Sequence, residues 1–382
     1  MPLSESIIDI LPPEIMDEVI GHCVDDVHSL RSCSIVCKAW LPASRYHLFQ
    51  NHAMRLTSRT SDEILESFEC AAPSLTGYVR CIHATCRIFL QLSQLTVFPS
   101  LEALHLRNLE PSTYMPIMSC LISSYPHLKR LQIEGISYPH EWETMGINGH
   151  FAASSLVSSM KNLRELSFRA TVPSGSIIYS IPAHFDSSLI PGPPPDTLTS
   201  LELYDSDPAY IAGWLLHHHV TSIQSLTLDL MACLEGEALS RYLESAGPTI
   251  KHLTLLDSGR TQYTSNAEQY SFIASCTALR TLRVGKFGKN RCRSEVEPIL
   301  SILDILTAEQ SLDTLVLGLN WEERRTLRWS TLETILARPQ FANLRTLEVC
   351  INPAQNVKQA KKVLIGKGLS RYAQSIEVTH WK

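Results

Sequence analysis

The chain has 382 residues, of which 33 are Lys or Arg and 38 are Asp or Glu, giving a formal net charge of −5. That balance excludes a general binder of nucleic acid or lipid headgroups, which needs a strongly basic surface, and no apolar run reaches the ~18 residues of a membrane span. The length exceeds the ~250–300 residues at which a single hydrophobic core stops growing, so several domains or a repeated architecture is required.

The opening Met1–Asp9 is acidic and lacks the basic start and apolar core of a secretory signal. The 11 cysteines are odd in number, scattered and without a C-x-x-C pair. They read as free thiols of a reducing compartment, cytoplasm or nucleus. From Leu11 to Phe49 three short helices are predicted. Pro12 and Pro13 suit a first helical turn, where the missing N–H costs nothing. Ile15, Met16, Val19 and Ile20 form its apolar face, and Asp25-Asp26 breaks the pattern. A second helix carries Leu30, Cys33 and Ile35. A third carries Val36, Trp40, Leu41, Leu48 and Phe49. So few residues approach the lower limit for an independent core, and some apolar surface should stay exposed unless a partner covers it.

Beyond a linker helix, an L-x-x-L-x-L-like hexamer recurs eleven times. The copies are Val79-Ile82-Ala84, Leu101-Leu104-Leu106, Leu128-Leu131-Ile133, Leu163-Leu166-Phe168, Leu198-Leu201-Leu203 and Ile223-Leu226-Leu228. Then follow Ile250-Leu253-Leu255, Leu279-Leu282-Val284, Leu312-Leu315-Leu317, Leu344-Leu347-Val349 and Ala373-Ile376-Val378. First positions lie 22 to 35 residues apart, about 29 on average. In an extended segment alternate side chains share a face, so the last two apolar residues point inward and the first anchors the preceding turn. Between copies, apolar residues three and four apart predict helices over Tyr114–Ser123, Phe151–Met160, Ile211–His217, Gly236–Ala246, Asn266–Cys276, Glu295–Leu306, Ser330–Arg338 and Asn356–Gly366. Units that cannot bury their apolar faces alone must stack.

Over residues 75–382 the chain resembles the leucine-rich-repeat family. It departs from the family at the ninth motif position, where Asn or Cys is frequent and only Asn320 and Asn352 occur. Over residues 10–50, Leu11-Pro12-x-Glu14-Ile15, then Leu30, then Val36-Cys37-Lys38-x-Trp40 resemble the F-box motif, in the style of the large F-box families of mushroom-forming fungi. An ordinary helical cap for the repeats is the bland alternative. The resemblance implies an α/β fold: a short N-terminal three-helix F-box (1–55), a linker helix (56–74) and a curved solenoid of about eleven irregular repeats (75–382), with parallel strands on the concave side and helices on the convex side.

It also implies a function: the substrate-recognition subunit of an SCF-type cullin–RING ubiquitin ligase. Such a subunit binds a Skp-family adaptor, and through it the cullin, and holds a protein substrate by its repeats. It has no catalytic residue, cofactor, metal, nucleic acid or membrane of its own. The adaptor contacts implied by motif position are Leu11, Pro12, Ile15, Ile20, Leu30, Val36 and Trp40, some of which instead hold the helices together. A repeat scaffold that recruits no cullin is the alternative, and a sensor holding a small molecule a third.

Strand parity places the substrate face. Its candidate residues are His105, Arg107, Arg130, Arg169, Glu202 and Tyr204, with His83, Glu134 and Glu165 nearby. Arg107, Arg130 and Arg169 form a basic strip suited to an acidic or phosphorylated segment unless the glutamates neutralise it. The long intervals around Gly135–His150, with Tyr138, His140 and Trp142, and Val172–Pro195 are rival sites. Cys33-x-x-x-Cys37, His83-x-x-Cys86 and His217-His218-His219 are isolated pairs or triplets without the second pair of ligands a zinc site needs. No phosphate loop, dinucleotide fingerprint or nucleophile elbow occurs.

Overall fold

The computed structural model describes residues 12–56, 76–95, 97–109, 111–136, 154–155, 157–170, 192–204, 208–229, 237–256, 267–285, 297–307, 309–320, 329–352, 361–362 and 376–380. Leu11, Tyr138, His140 and Trp142 lie outside them, as do Ala373, nearly all of the expected linker helix and most of the helix expected over Asn356–Gly366. Two compact units are present: Met1–Ile147 with Met160–Leu163, and Asn148–Ser159 with Arg164–Lys382.

The first unit opens with α1 (Pro13–Gly21), α2 (Val27–Val36) and α3 (Leu41–Asn51). Pro12 stands before the first turn of α1 with its φ at −56°, and Glu14 lies near the positive end of the helix dipole. Asp26 caps α2 by accepting from the His28 N–H at 2.9 Å and the Ser29 hydroxyl at 2.7 Å. Val36 closes α2 and Trp40 precedes α3, so neither sits inside the third helix as expected. Met16, Ile20 and Leu30 fill the space between the helices. His47 Nε2 meets the Asp17 carboxylate at 3.1 Å and His52 Nε2 meets the Val24 carbonyl at 2.7 Å, tying α3 to α1 and to the turn after it.

Four parallel strands follow: β1 (Met54–Leu56), β2 (Cys81–Thr85), β3 (Ala103–Leu109) and β4 (Arg130–Ile136). α4 (Cys86–Leu95) follows β2 and α5 (Pro111–Ser124) follows β3. Two of these elements were not foreseen. β1 is an extra copy of the hexamer, Asn51-x-x-Met54-x-Leu56, with a polar first position. α4 begins directly at the end of β2.

The second unit carries β5 (Glu165–Ala170), β6 (Ser200–Tyr204), β7 (Ser225–Asp229), β8 (His252–Leu256), β9 (Thr281–Gly285), β10 (Thr314–Asn320), β11 (Thr346–Asn352) and β12 (Ile376–His380). All are parallel, and each pairs with its successor along the polypeptide. Between them run α6 (Pro208–His217), α7 (Glu237–Ala246), α8 (Glu297–Ile305) and α9 (Trp329–Leu336). The segment Ala267–Ser275 is a 3-10 helix where an α-helix was expected. Tyr270, Phe272 and Ile273 are its buried residues, and Cys276 just after it is buried as well. The architecture is α/β with all-parallel strands, as the hexamers require.

Register makes the hexamers a physical object. Leu104 pairs with Leu131 and Leu106 with Ile133. In the second unit Leu166, Leu201, Leu226, Leu253, Leu282, Leu315, Leu347 and Ile376 form one continuous row. From Leu166 to Leu347 none exceeds 1% exposure. The first leucines close a tight turn: Leu101 N–H donates to the Phe98 carbonyl at 3.1 Å, Leu128 to Tyr125 at 3.2 Å, and Leu279 to Cys276 at 3.1 Å.

The scarcity of asparagine in the turns is compensated by backbone. The carbonyl ahead of β2, of β3 and of each of β5–β10 accepts from two consecutive N–H groups of the next repeat. Gln224 O accepts from Lys251 and His252 at 2.8 and 3.0 Å, and Lys251 O accepts from Arg280 and Thr281 at 2.8 and 3.0 Å. Buried amides add cross-links. Gln310 donates to the carbonyls of Ile273 and Cys276 at 2.7 and 3.1 Å, and Gln340 donates to that of Leu306 at 2.9 Å. These bonds satisfy carbonyls that would otherwise be buried without partners.

Candidate protein-binding surfaces

Two surfaces stand out, and the first is helical. Ile15 and Val19 lie one turn apart on α1 and are 43% and 49% exposed, while Ile35 and Val36 at the end of α2 are 85% and 55% exposed. Large aliphatic side chains are normally among the most buried residues. Four of them are exposed within the 22 residues from Ile15 to Val36, two on each helix. Pro12, just before α1, is exposed as well.

The contact set expected from the sequence therefore divides. Pro12, Ile15 and Val36 are accessible, and Leu11 lies outside the described residues. Ile20 and Leu30 have no exposed surface and belong to those of the set that hold the helices together. Trp40 is half-buried, and its indole Nε1–H is enclosed without a hydrogen-bond acceptor. Val19 and Ile35 were not in the expected set. Their signal was available in the i, i+4 spacing of Ile15 and Val19.

The second surface is the outer face of the strands. Residues between and just after the inward leucines point away from the core and align in rows. In the first unit one row runs Arg55, His83, His105, Gln132, and the next runs Thr85, Arg107, Glu134. The imidazoles of His83 and His105 meet edge to face with centroids 4.9 Å apart. The Glu134 carboxylate receives His105 Nε2 at 3.0 Å and Arg107 Nε at 3.2 Å. Burial holds the His83 imidazole below its ordinary range, and the positive charges of His105, Arg55 and Arg107 add to the effect.

In the second unit the corresponding face holds Arg169, Glu202 and Tyr204. The Arg169 guanidinium lies over the Tyr204 ring at 4.5 Å from its centroid. The Tyr204 hydroxyl is pushed up to about 12, first by burial and then by the Glu202 charge, against the opposing pull of Arg169 and Arg283. Further along, Thr379 Oγ1 donates to Glu348 at 2.7 Å.

The six expected face residues thus fall three in each unit. The expected basic strip is corrected on geometry: Arg107 and Arg130 stand on different rows, Arg107 is paired with Glu134, and Arg169 is stacked on Tyr204 in the other unit. Arg55 was missed because β1 was not read as a strand.

Among the described residues no group of three or more His, Cys, Asp and Glu side chains could hold a metal ion, and no helix is long and apolar enough to cross a membrane. The His217-His218-His219 triplet ends α6. His219 adopts φ 52°, and Val220 and His219 donate back to Leu215 and Leu216 at 3.0 and 3.1 Å, which is a helix-stop arrangement. No family model matches the chain, and no curated protein matches it.

Proposed function

We propose that this protein is the substrate-recognition subunit of an SCF-type cullin–RING ubiquitin ligase, an F-box protein with a leucine-rich-repeat solenoid. The N-terminal helices dock on a Skp-family adaptor, and through it on a cullin, in the cytoplasm or nucleus. The strand face holds the protein to be modified. The chain contributes position and no bond chemistry: it raises the effective concentration of a substrate lysine near the conjugating enzyme.

The observation that carries the reading is the exposure of Ile15, Val19, Ile35 and Val36 on helices whose sequence resembles the F-box motif. Burying them in an interface contributes up to roughly 1.5–3 kcal/mol for Ile35 and about half that for each of the half-exposed Ile15, Val19 and Val36, before the cost of association. A stack of parallel strands with a polar outer face, the form expected of a leucine-rich-repeat domain, supports the second half of the reading.

Co-purification with a Skp-family adaptor tests it. Ile15→Asp combined with Val36→Asp should abolish capture of the adaptor while the circular dichroism spectrum and thermal midpoint stay near wild type, because both side chains are exposed. Leu11→Ala with Pro12→Ala should weaken it in the same way. Undiminished capture by the aspartate variant would refute the docking mode. Stable protein partners without any adaptor or cullin would instead establish a scaffold.

A further inference from the structure

We propose that the outer strand face of the first unit, built by Arg55, His83, His105, Arg107, Arg130 and Glu134, binds an acidic, Asp/Glu-rich segment of a partner protein and takes up protons as it does so. The inference deepens the ligase reading, since the segment would belong to the substrate.

Charge is the first argument. On this face of β1–β4 three arginines point outward against one carboxylate, Glu134. Arg55, Arg107 and Arg130 are all exposed. This excess is local, since the whole chain carries −5. A basic field on an acidic protein focuses an anionic partner onto one place.

Protonation is the second. His83 on β2 faces Arg55 from β1, His105 and Arg107 from β3, and Cys81 and Thr85 from its own strand, with Glu134 and Arg130 on β4 beyond. The nearest charges around His83 are positive, and the one carboxylate already engages His105 and Arg107. The His105 imidazole is in contact with His83 and adds to the penalty on its proton. An incoming carboxylate offsets that penalty. Binding then favours a proton on His83, and by linkage affinity must rise as pH falls.

The spacing suits a peptide. Adjacent strands lie ~4.8 Å apart, so Arg55, His83 and His105 follow one another along one row, with Arg107 and Arg130 on the rows to either side, a patch roughly 15 Å across four strands and the reach of about four or five extended residues. No aromatic stacking platform of the kind single-stranded nucleic acid uses lies on these rows.

The test is fluorescence anisotropy of the full chain with fluorescein-labelled oligoglutamate, against oligoglutamine of equal length. Oligoglutamate should bind selectively, about five- to tenfold more tightly near about pH 6 than near about pH 8, and less tightly as salt is raised. Arg55→Gln with Arg130→Gln should weaken binding about tenfold. His83→Gln should flatten the pH dependence. Glu134→Gln should strengthen binding several-fold, a gain that misfolding cannot produce. Arg241→Gln, an exposed arginine on α7, should change nothing.

Equal binding of oligoglutamine, wild-type affinity in the double arginine variant, or tighter capture of a single-stranded RNA than of oligoglutamate would each overturn the proposal. If the adaptor is not captured but oligoglutamate binds in the expected pattern, the ligase reading falls and this surface stands. If the adaptor is captured and oligoglutamate is not, this surface alone falls.

Discussion

Leu282 shows what a single position contributes. It is wholly buried on β9, paired with Leu253 on one side and Leu315 on the other. Leu282→Ala should cost ~2–5 kcal/mol in chemical denaturation, because the flanking strands are hydrogen-bonded and cannot collapse into the cavity. Gln310 is a polar counterpart. Its amide donates to two carbonyls of the preceding repeat and its oxygen accepts from Thr307 N–H at 2.9 Å. Gln310→Ala should cost ~1–3 kcal/mol, chiefly from orphaning those buried groups. His219 runs the other way. It is exposed and held at φ 52°, a region that penalises a Cβ. His219→Gly should stabilise by ~0.5–1 kcal/mol, seen as a raised denaturant midpoint.

At the level of helices and strands, α2 depends on its start. Hydrogen bonds from Ser29 and His28 hold the Asp26 carboxyl below its ordinary value of 3.8. A carboxyl with a depressed value supports the fold above that value and loses its contribution as pH falls through the folded one. Asp26→Ala should therefore lower the thermal midpoint at neutral pH and leave it unchanged in strong acid. The strand face of the first unit shows the same linkage through a histidine. His83 lies below 6.5 in the folded protein, so the unfolded chain takes its proton first. Its penalty is absent above that value and grows as pH falls below it. Melts of His83→Gln should lose less stability than wild type between about pH 7 and about pH 5.

Across the molecule, stability is assembled from neighbouring repeats. Each strand of the second unit hydrogen-bonds only to the strands before and after it. Damage should therefore spread along the row and fade with distance. Hydrogen exchange of Leu282→Ala should lose protection first in β8–β10 and last in β5–β6.

The repeat was legible before any coordinates because its cause is local. Two apolar residues two apart point to one face of a strand, and a third, three positions earlier, closes a turn. Those relations lie within six residues, so the hexamers predicted the strands and their order. The helices were legible in the same way where their period was 3.6, and misread at Ala267–Ser275, where the period is three. β1 escaped because its first position is Asn51.

The functional surfaces depend on a longer range. The motif-like residues of the N-terminal helices could not be separated by sequence into the enclosed Ile20 and Leu30 and the exposed Ile15 and Val36, because burial is decided by the other helices. On the strand face, parity fixed which side chains point outward. Only the register of the paired strands decided that Glu134 meets Arg107 and His105, and that Arg55 stands beside His83. Charges separated by a whole repeat along the polypeptide become neighbours about 5 Å apart across a sheet, and that distance cannot be read along one dimension.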